Sequence, residues 1–506
     1  MPDNMLILAH DLGTTGNKAT LFRSDGSIVA TTFAGYPTAY PHPNWAEQNP
    51  TDWRKALFGC TQRLISKAGV LADDIAVVSF SGHMQGALVV DEKGIPLRPA
   101  IIWADQRATP QAGRIRERVG SLETYQLTGN RVSPAYTAAK LLWIKEHQPD
   151  IYARTHQVLQ AKDYAAFLFS GVFATDYSDA SLTQLLDLKA RSWSEMLLEQ
   201  LEIDECILPS LHPSATVVGE VTPAAAEASG LRPGLPVVIG GGDGACATVG
   251  AGSIAAGDVY NYIGSSSWVA LTTPAPVLDP DQRTFSFLHL DPDLYAAIGT
   301  MQAAGGAFDW FERLMRDEAA VGPQYQRLDE EAGRVPPGSR GLLFLPYLLG
   351  ERSPHWNPLA RGAFVGLAMP HGKAEMTRAV LEGVAFNLRH ILDIIRSQGV
   401  EVEVMRLIGG SGKSALWRQI LADVYGLPIA RLGLSAEATA LGAAIAGGVG
   451  VGMYSDYDVA KDLAPVVGYD YPTPTASEQY NVYCELFKKT YDALAPIFEE
   501  LSGLAE

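Results

Sequence analysis

Two aspartates, each beside a glycine-rich turn, are the residues of this chain whose types and spacing could do chemistry. The first, Asp11, follows a strand-length apolar run and precedes the turn Gly13-Thr14-Thr15-Gly16. Glycines at the end of such a run mark where a strand stops, so we expect Asp11 at the carboxyl end of a strand. Glycines let backbone N–H groups approach a polyphosphate, and threonine hydroxyls add donors. A carboxylate there could hold Mg²⁺, directly or through water.

The same segment also fits a β-hairpin without a ligand. An apolar strand, a turn, the run KATLFRS, a turn at Asp25-Gly26 and a further apolar run follow one another over residues 6–33. This order is typical of consecutive antiparallel strands. Both interpretations stay open, because a hairpin that binds phosphate is still a hairpin.

The second aspartate, Asp243, lies in the sequence GGGDGA at residues 240–245, after an apolar strand pattern. An aspartate in this place commonly caps the following helix. The alternative is a general base or a second metal contact, which we expect to be ionised at neutral pH, since an unperturbed Asp has a pKa of about 3.9. Two strand-end carboxylates beside glycine turns suit Mg²⁺-assisted phosphoryl transfer, which requires positioning, charge neutralisation and one base.

A third glycine turn, GGSGKS at residues 409–414, imitates a P-loop in its last three residues. The full P-loop pattern needs a glycine five residues before Gly412, where this chain has Leu407, so the sequence predicts no P-loop. A glycine turn that opens a helix can still admit a nucleotide base or ribose to the backbone. A helix-opening turn without a ligand fits the segment equally well.

Two polar turns combine hydrogen-bonding groups with apolar side chains. They are SGHMQG at residues 81–86 and WADQR at residues 103–107. Such a mixture suits a polyol, whose hydroxyls need hydrogen-bond partners and whose C–H faces need apolar contact. A loop histidine with satisfied hydrogen bonds and a core tryptophan at Trp103 are the structural alternatives.

Strands that alternate with helices indicate an α/β fold. The sequence predicts helices at residues 51–68, 133–147, 413–425 and 436–447, and strands at 73–81, 87–91, 235–242, 258–266 and 405–412. Apolar strand, glycine turn and polar residue follow one another near residues 11, 82, 243, 264 and 409. Loops that converge at strand ends build the ligand site of many α/β proteins. A lobe boundary is expected near residues 250–258.

Composition places the chain among folded soluble proteins. It has 506 residues, 47% of them hydrophobic, and a net charge of −17, which opposes binding to nucleic acid. Its 4 cysteines are scattered without a CxxC pair, which argues against disulfides or a zinc site. No signal peptide and no membrane span are expected, so we predict a cytoplasmic location, and a homodimer is compatible with the sequence.

Six segments in order resemble the FGGY family of carbohydrate kinases, and within that family its xylulokinase branch. They are DLGTTGNKA at 11–19, the stretch at 81–107, KLLWIKEH at 140–147, GGGDGA at 240–245, GAFVGLAMPHGKAEMTRAVLEG at 362–383 and LIGGSGKSALWRQILADVYGLPI at 407–429. The resemblance implies a two-lobed actin-like fold of the ribonuclease-H type, with the active site in the cleft between the lobes. It implies an N-terminal lobe over residues 1–252 for sugar and base, and a C-terminal lobe over 253–506 for the nucleotide.

The resemblance also implies roles for single residues. It implies Asp243 as the catalytic base, Asp11 near Mg²⁺, and ATP and a small sugar as the bound molecules. The expected sugar contacts are His83, Met84, Gln85, Trp103, Asp105 and Arg107. The expected ATP contacts are Gly13, Thr14, Thr15, Gly16, Lys18, Gly264, Ser265, Ser266, Gly409, Gly410, Ser411 and Lys413.

Two departures from the xylulokinase pattern touch the sugar site. That branch usually has Gln-Met-His-Gly where this chain has His83-Met84-Gln85-Gly86, and Asp-Asn where this chain has Asp243-Gly244. We therefore predict ATP-dependent phosphorylation of a ketopentose such as D-xylulose, with Gln85 facing the sugar and His83 supporting the loop. A kinase for another ketose or polyol, such as ribulose, ribitol or glycerol, is the nearest alternative. An ATPase scaffold of the same superfold is a more distant one.

Overall fold

Two seven-stranded sheets organise the computed structural model, which describes residues 5–316 and 322–504. The first sheet contains β1 (Leu6–Leu12), β2 (Gly16–Arg23), β3 (Ile28–Gly35), β4 (Ile75–Gly82), β5 (Val217–Glu220), β6 (Pro236–Val238) and β7 (Gly241–Gly242). The second contains β8 (Val259–Ile263), β9 (Ser267–Thr273), β10 (Phe285–Leu288), β11 (Tyr295–Met301), β12 (Met405–Ile408), β13 (Ile429–Leu432) and β14 (Val466–Asp470).

Both sheets have the same central order. In the first, β3, β2 and β1 are antiparallel neighbours, and β4 and then β6 add in parallel on the side of β1. In the second, β11, β9 and β8 are antiparallel neighbours, and β12 and β13 add in parallel on the side of β8. This repeated order is that of the ribonuclease-H-type fold. The predicted α/β, two-lobed, actin-like fold class is confirmed.

Helices cover the sheets and connect them. They are α1 (Pro50–Ala68), α2 (Thr109–Arg118), α3 (Ser121–Thr128), α4 (Thr137–His147), α5 (Pro149–Ala153), α6 (Ala161–Ser170), α7 (Tyr177–Ser181), α8 (Glu195–Leu201), α9 (Pro223–Ser229), α10 (Asp243–Gly250), α11 (Gly305–Met315), α12 (Tyr325–Ala332), α13 (Lys373–Ser397), α14 (Ala415–Tyr425), α15 (Ala438–Gly450), α16 (Ala460–Leu463) and α17 (Pro474–Leu504). Within the described ranges, no helix is both long and apolar enough to cross a membrane.

In the part of the chain that the structure describes, five pairs of short strands lie outside the two sheets. They are Glu47–Gln48 with Ala100–Ile101, Leu88–Val90 with Gln157–Leu159, Ala174–Asp176 with Ser210–His212, Leu186–Asp187 with Ser192–Trp193, and Leu343–Leu345 with Ala363–Val365.

Local sequence accounts for both boundaries of helix α1. The side chain of Asn49 caps α1 by accepting from the N–H of Thr51, and Pro50 opens the helix. Gly69 ends it with a φ of 65°, in the left-handed region that favours glycine. The helix predicted at 133–147 begins only at Thr137, because residues 134 and 135 form a turn. The helices predicted at 51–68, 413–425 and 436–447 are confirmed to within a few residues.

Helices α10 and α15 cross at glycines, so their backbones touch. A Cβ built on Gly442 of α15 would lie 1.9 Å from the carbonyl oxygen of Cys246 in α10. A Cβ built on Gly250 of α10 would lie 1.7 Å from the carbonyl oxygen of Ala438 in α15. Helix α15 continues onto the first sheet, where Gly447 lies against Ser79. This crossing joins the helix that begins at Asp243 to the first sheet.

We expect Gly442→Ala to destabilise the protein and to lower its activity. Overpacking a tight contact typically costs about 1–3 kcal/mol, and here the neighbour is a carbonyl oxygen that cannot rotate away. Gly113→Ala is the matched control, since this helical glycine has its nearest atom at 3.9 Å. Thermal unfolding of both variants checks the expectation. Equal melting temperatures would show that the crossing tolerates a methyl group.

Candidate active site

Three parallel strand ends of the first sheet meet at one edge. Strand β4 lies between β1 and β7, so that Ser81 of β4 pairs with Asp11 on one side and with Gly241 on the other. The backbones of Asp11 and Gly241 are therefore about 10 Å apart, two strand spacings. Asp243 follows β7 directly and begins α10. The sheet thus places both candidate carboxylates on the flanks of one strand end.

Asp243 is the first residue of α10 and is half-buried. The capping position belongs to Gly242, so the interpretation of Asp243 as the helix cap is wrong. Its carboxylate accepts a hydrogen bond from the N–H of Gly244 at 2.8 Å. Burial, followed by the charge of Asp11, raises the pKa of Asp243 to about 7. The expectation of an unperturbed, fully ionised carboxylate is therefore corrected, because the sequence could not show that two carboxylates share one cleft.

Asp11 is also half-buried and accepts a hydrogen bond from the hydroxyl of Ser81 at 3.1 Å. Burial raises its pKa, while the nearby Lys18 ammonium and the Ser81 hydroxyl act in the opposite direction. Two neighbouring carboxylates with raised pKa values favour a cation between or beside them. Over residues 5–316 and 322–504, no group of three metal-ligating side chains occurs. This donor set fits Mg²⁺, which takes one or two carboxylates and completes its shell with phosphates and water.

The turn at residues 13–16 joins β1 to β2 and is held from three sides. The hydroxyl of Tyr36 donates to the carbonyl of Gly13 at 2.6 Å, and Gln48 Nε2 donates to the carbonyl of Thr14 at 2.7 Å. The indole N–H of Trp103 donates to Thr14 Oγ1 at 2.9 Å. The predicted hairpin is confirmed by the register of β1 and β2. Thr15 is exposed, and Gly16 is buried.

Lys18 connects the hairpin of β1 and β2 to the segment that precedes α15. It pairs with Asp11 across the hairpin, and its ammonium donates to the carbonyl of Ala436 at 3.2 Å. Ala436 lies just before α15. The Lys18 ammonium thus lies beside Asp11 and contacts the segment before α15. A positive charge in this place could bind an anionic ligand that lies between the hairpin and this segment.

Two predicted turns of the second sheet lie side by side. Gly409 has a φ of 96°, and a Cβ there would lie 2.5 Å from the carbonyl oxygen of Ile263, which ends β8. The turn Gly264-Ser265-Ser266 follows β8, and residues 410–413 form a single 3-10 turn. Ser265, Gly410 and Lys413 are exposed, while Gly264, Ser266 and Ser411 are half-buried. The structure brings these residues together at one strand edge.

A third glycine turn at this edge was missed by the sequence reasoning. The N–H of Gly305 donates to the carbonyl of Gly264, and the N–H of Gly306 donates to the carbonyl of Ser265, each at 2.9 Å. A Cβ on Gly305 would lie 3.0 Å from the hydroxyl oxygen of Ser411. The signal was present, because these glycines follow β11 and open α11, the same order of strand, glycine and helix found elsewhere.

The segment at residues 83–85 lies beside the loop that carries Asp243. A Cβ on Gly242 would lie 2.4 Å from Cε of Met84, so Met84 packs directly below that loop. The ring of His83 is buried edge-on against Trp53, with 5.5 Å between ring centroids, and burial lowers its pKa to about 4. Gln85 has a φ of 67°, and its carbonyl accepts from Lys140 Nζ at 2.7 Å. A buried lysine thus holds the backbone of this segment in an uncommon conformation.

Asp105 and Arg107 lie in a buried ion-pair network beside Trp103. Both oxygens of Asp105 accept from Arg107, and one also accepts from the N–H of Ala46 at 2.6 Å. Arg107 also binds Glu47 at 2.7 Å and lies 3.6 Å from the ring centroid of Trp45. These contacts support the neighbouring loop. A direct contact of either side chain with a sugar stays a prediction.

Arg352 reaches the same region from the other side of the cleft and was missed by the sequence reasoning, although it follows an apolar run that ends at Gly350. Its guanidinium carbon lies 5.4 Å from the ring centroid of Trp103, which is half-buried. Trp103 therefore joins three features: the turn at 13–16, the segment at 103–107 and Arg352. Trp103 is therefore neither a fully buried core residue nor a fully exposed surface residue.

Glycine turns from both sheets and two carboxylates thus line one cleft, with a mixed polar and aromatic surface at one end. This arrangement can bind an extended polyphosphate and present a carboxylate to a hydroxyl group. The chain matches the model of the FGGY family of carbohydrate kinases, N-terminal domain, over residues 6–250. It matches the C-terminal domain model of that family over residues 259–451.

Individual relatives and solved structures agree with the family match. The chain is 33% identical over 486 residues to a xylulose kinase of Bacillus subtilis, covering 96% of each chain. It superimposes on a gluconate kinase of Lactobacillus acidophilus with a TM-score of 0.92 and 27% identity, covering 98% of this chain and 99% of that one. A ligand-bound xylulose kinase of Lactobacillus acidophilus also gives a TM-score of 0.92 and 27% identity, with 98% and 100% covered. The chain therefore belongs to the FGGY family of carbohydrate kinases.

Proposed function

We propose that this carbohydrate kinase transfers the γ-phosphoryl group of ATP to a hydroxyl of a ketopentose, with D-xylulose as the first candidate. The observation that carries the proposal is the position of Asp243, a half-buried carboxylate that opens α10 beside Met84 and across a strand end from Asp11. The xylulose kinase of Bacillus subtilis supports the choice of sugar. The gluconate kinase likeness makes a sugar acid the second candidate.

Asp243 acts as the general base in this proposal. Its deprotonated carboxylate accepts the proton of the attacking sugar hydroxyl as the bond to phosphorus forms and the ADP oxygen leaves. A pKa of about 7 suits this task, because a base is most effective when its pKa lies near the working pH. The positive end of the α10 dipole favours the charged form that must be regenerated after each turnover.

The glycine turns hold the nucleotide in this proposal. The turn at 13–16 and the turn at 264–266 offer N–H and hydroxyl donors to phosphate oxygens, and Lys18 adds a positive charge. The turns at 305–306 and 409–413 give the base and ribose a close approach to the backbone. Asp11 would hold Mg²⁺, which when bound supplies charge neutralisation for the phosphates.

Residues 1–252 carry the sugar and the base, and residues 253–506 carry the nucleotide, in this proposal. Movement of the two lobes toward each other excludes water, which competes with the sugar as phosphoryl acceptor. The test of the whole proposal is ADP formation measured against a panel of pentuloses, hexuloses, pentitols, glycerol and D-gluconate. ADP formation that no member of the panel stimulates would favour an ATPase of the same fold.

The first prediction concerns the base. Asp243→Asn keeps the shape of the side chain and removes the proton acceptor, so kcat should fall by roughly 10²–10⁴. The KM values for sugar and MgATP should change little. Retention of more than about a tenth of the wild-type kcat would exclude Asp243 as the base.

The same variant tests the raised pKa without turnover. A carboxyl whose pKa is raised by folding stabilises the folded state fully below its unfolded pKa, and this stabilisation is lost as the pH rises through about 7. In nucleotide-free protein with EDTA, the melting temperature of Asp243→Asn should therefore gain on the wild type between pH 5 and pH 8. Asp25→Asn is the control, because hydrogen bonds from Ser27 lower the pKa of Asp25. A constant difference for Asp243→Asn would contradict the raised pKa.

The next prediction concerns the metal. Asp11→Ala should raise the Mg²⁺ concentration for half-maximal activity about tenfold or more, since the ion would keep only phosphate and water ligands. Asp25→Ala, at an exposed turn of the same sheet, is the control. Superimposable Mg²⁺ titrations of Asp11→Ala and the wild type would remove Asp11 from the metal site.

The last prediction here concerns specificity. His83→Gln with Gln85→His restores the usual xylulokinase order, and a changed hydrogen bond to the sugar is worth about 0.5–1.5 kcal/mol, or about 2- to 10-fold. The ratio of kcat/KM for D-xylulose to that for the best other sugar should rise by this amount. Each single variant is a control. His83→Gln should affect stability more than selectivity, because His83 is buried against Trp53. An unchanged ratio means that these side chains do not select the substrate.

A further inference from the structure

The loop that carries Asp243 has no side chains of its own to anchor it. Its three glycines are each pressed by a neighbour: a Cβ on Gly240 would lie 1.8 Å from the carbonyl oxygen of Phe80. A Cβ on Gly241 would lie 2.2 Å from Leu290, and one on Gly242 would lie 2.4 Å from Met84. The position of the loop therefore depends on contacts made by its backbone.

One of these contacts comes from a side chain outside the loop. The N–H of Gly242, directly before Asp243, donates to the hydroxyl oxygen of Ser178 at 3.0 Å. Ser178 lies in α7 and is completely buried. Its hydroxyl hydrogen is donated to Asp176 Oδ2 at 2.6 Å, so its oxygen is free to accept from Gly242.

Asp176 is in turn fixed by a buried network. Lys162 Nζ lies 3.0 Å from Asp176 Oδ1, and the hydroxyl of Ser214 donates to Asp176 Oδ2 at 2.7 Å. Asp176 also caps α7 by accepting from the N–H groups of Ser178 and Asp179. All these side chains are buried, where charge-assisted hydrogen bonds are strong and strictly oriented.

Lys162 also contacts strand β4, which leads to the segment at residues 83–85. A Cβ on Gly82, the last residue of β4, would lie 2.9 Å from the backbone nitrogen of Lys162. His83 and Met84 follow directly. Lys162 thus contacts the start of the segment at residues 83–85 through its backbone. Its side chain acts on the loop before Asp243 through Asp176 and Ser178.

We propose that Ser178 is a positioning residue for catalysis. Its hydroxyl holds the peptide before Asp243 in place against Asp176, which is itself fixed by Lys162. The proposal rests on the proposed role of Asp243 as the base. Small displacements of a catalytic group are costly, since a misplacement of about 1 Å can lower the rate by about 10²-fold. Loss of the Ser178 hydroxyl should therefore lower kcat and leave substrate binding largely unchanged.

The chain offers a matched control at Ser214. Ser178 and Ser214 both donate to Asp176 Oδ2, but only Ser178 accepts from Gly242. Ser178→Ala and Ser214→Ala each leave this oxygen with one donor fewer, so both melting temperatures should fall. That of Ser178→Ala should fall further, because the buried N–H of Gly242 also loses its acceptor. In Ser178→Ala, kcat for the best sugar should fall about 10-fold or more, with KM values within about 3-fold of the wild type. In Ser214→Ala, kcat should stay within about 3-fold.

Amide hydrogen exchange tests the positioning without turnover. The peptic peptide covering residues 238–250 should exchange faster in Ser178→Ala than in Ser214→Ala or the wild type. Equal exchange in the two variants, an equal loss of kcat, or a loss confined to KM overturns the proposal. Faster exchange in Ser178→Ala together with an active Asp243→Asn would instead reject Asp243 as the base and leave the anchoring of the loop intact.

Discussion

The backbone contact between α10 and α15 is the constraint on which the site depends. Asp243 begins α10, and α10 is held on one side by α15 at Gly442 and on the other by β8, where the hydroxyl of Tyr260 donates to the carbonyl of Gly244 at 3.1 Å. These two contacts leave no room for α10 to move independently of α15 and β8. Interfaces packed this closely tend to have discrete arrangements rather than a continuous range. Asp243, the proposed base, therefore moves with the helix pair, and its distance from the turns at 264–266 and 409–413 is set by how the two sheets sit about it.

Electrostatics couples the pKa of Asp243, the proposed base, to the charge of a ligand bound beside Asp11. Burial, followed by the charge of Asp11, raises the pKa of Asp243; burial also raises the pKa of Asp11, and the Lys18 ammonium lowers it. Any positive charge that Asp11 holds offsets the charge that raises the pKa of its neighbour, and so favours the deprotonated base. In the proposed mechanism, the Asp243 carboxylate is therefore most available as a proton acceptor when a cation is bound beside Asp11.

The sequence was sufficient for the fold class and for the residues at the strand ends, and insufficient for what lies behind them. Asp11, Asp243 and the turns at 264–266 and 409–413 stand beside glycines after apolar runs, a signal that a single chain carries locally. The pKa of Asp243 and the crossing at Gly442 depend on pairs of residues far apart in the chain. The position of Ser178 beside the loop of Asp243 and that of Arg352 beside Trp103 follow from tertiary packing alone.

Two arginine–tryptophan contacts join the two sides of the cleft at Trp103, and they are reciprocal. Arg352 lies 5.4 Å from the ring centroid of Trp103, and Arg131 lies 5.1 Å from that of Trp356, so each side of the cleft contributes one arginine and one tryptophan. Cation–π contacts at partly exposed sites are worth about 0.5–1 kcal/mol each, a small energy compared with that of binding a substrate. Contacts of this strength can hold two sides of a cleft together and still yield to an incoming ligand. Because Trp103 also donates to Thr14, a displacement of Trp103 would reach the turn at 13–16 through a single side chain.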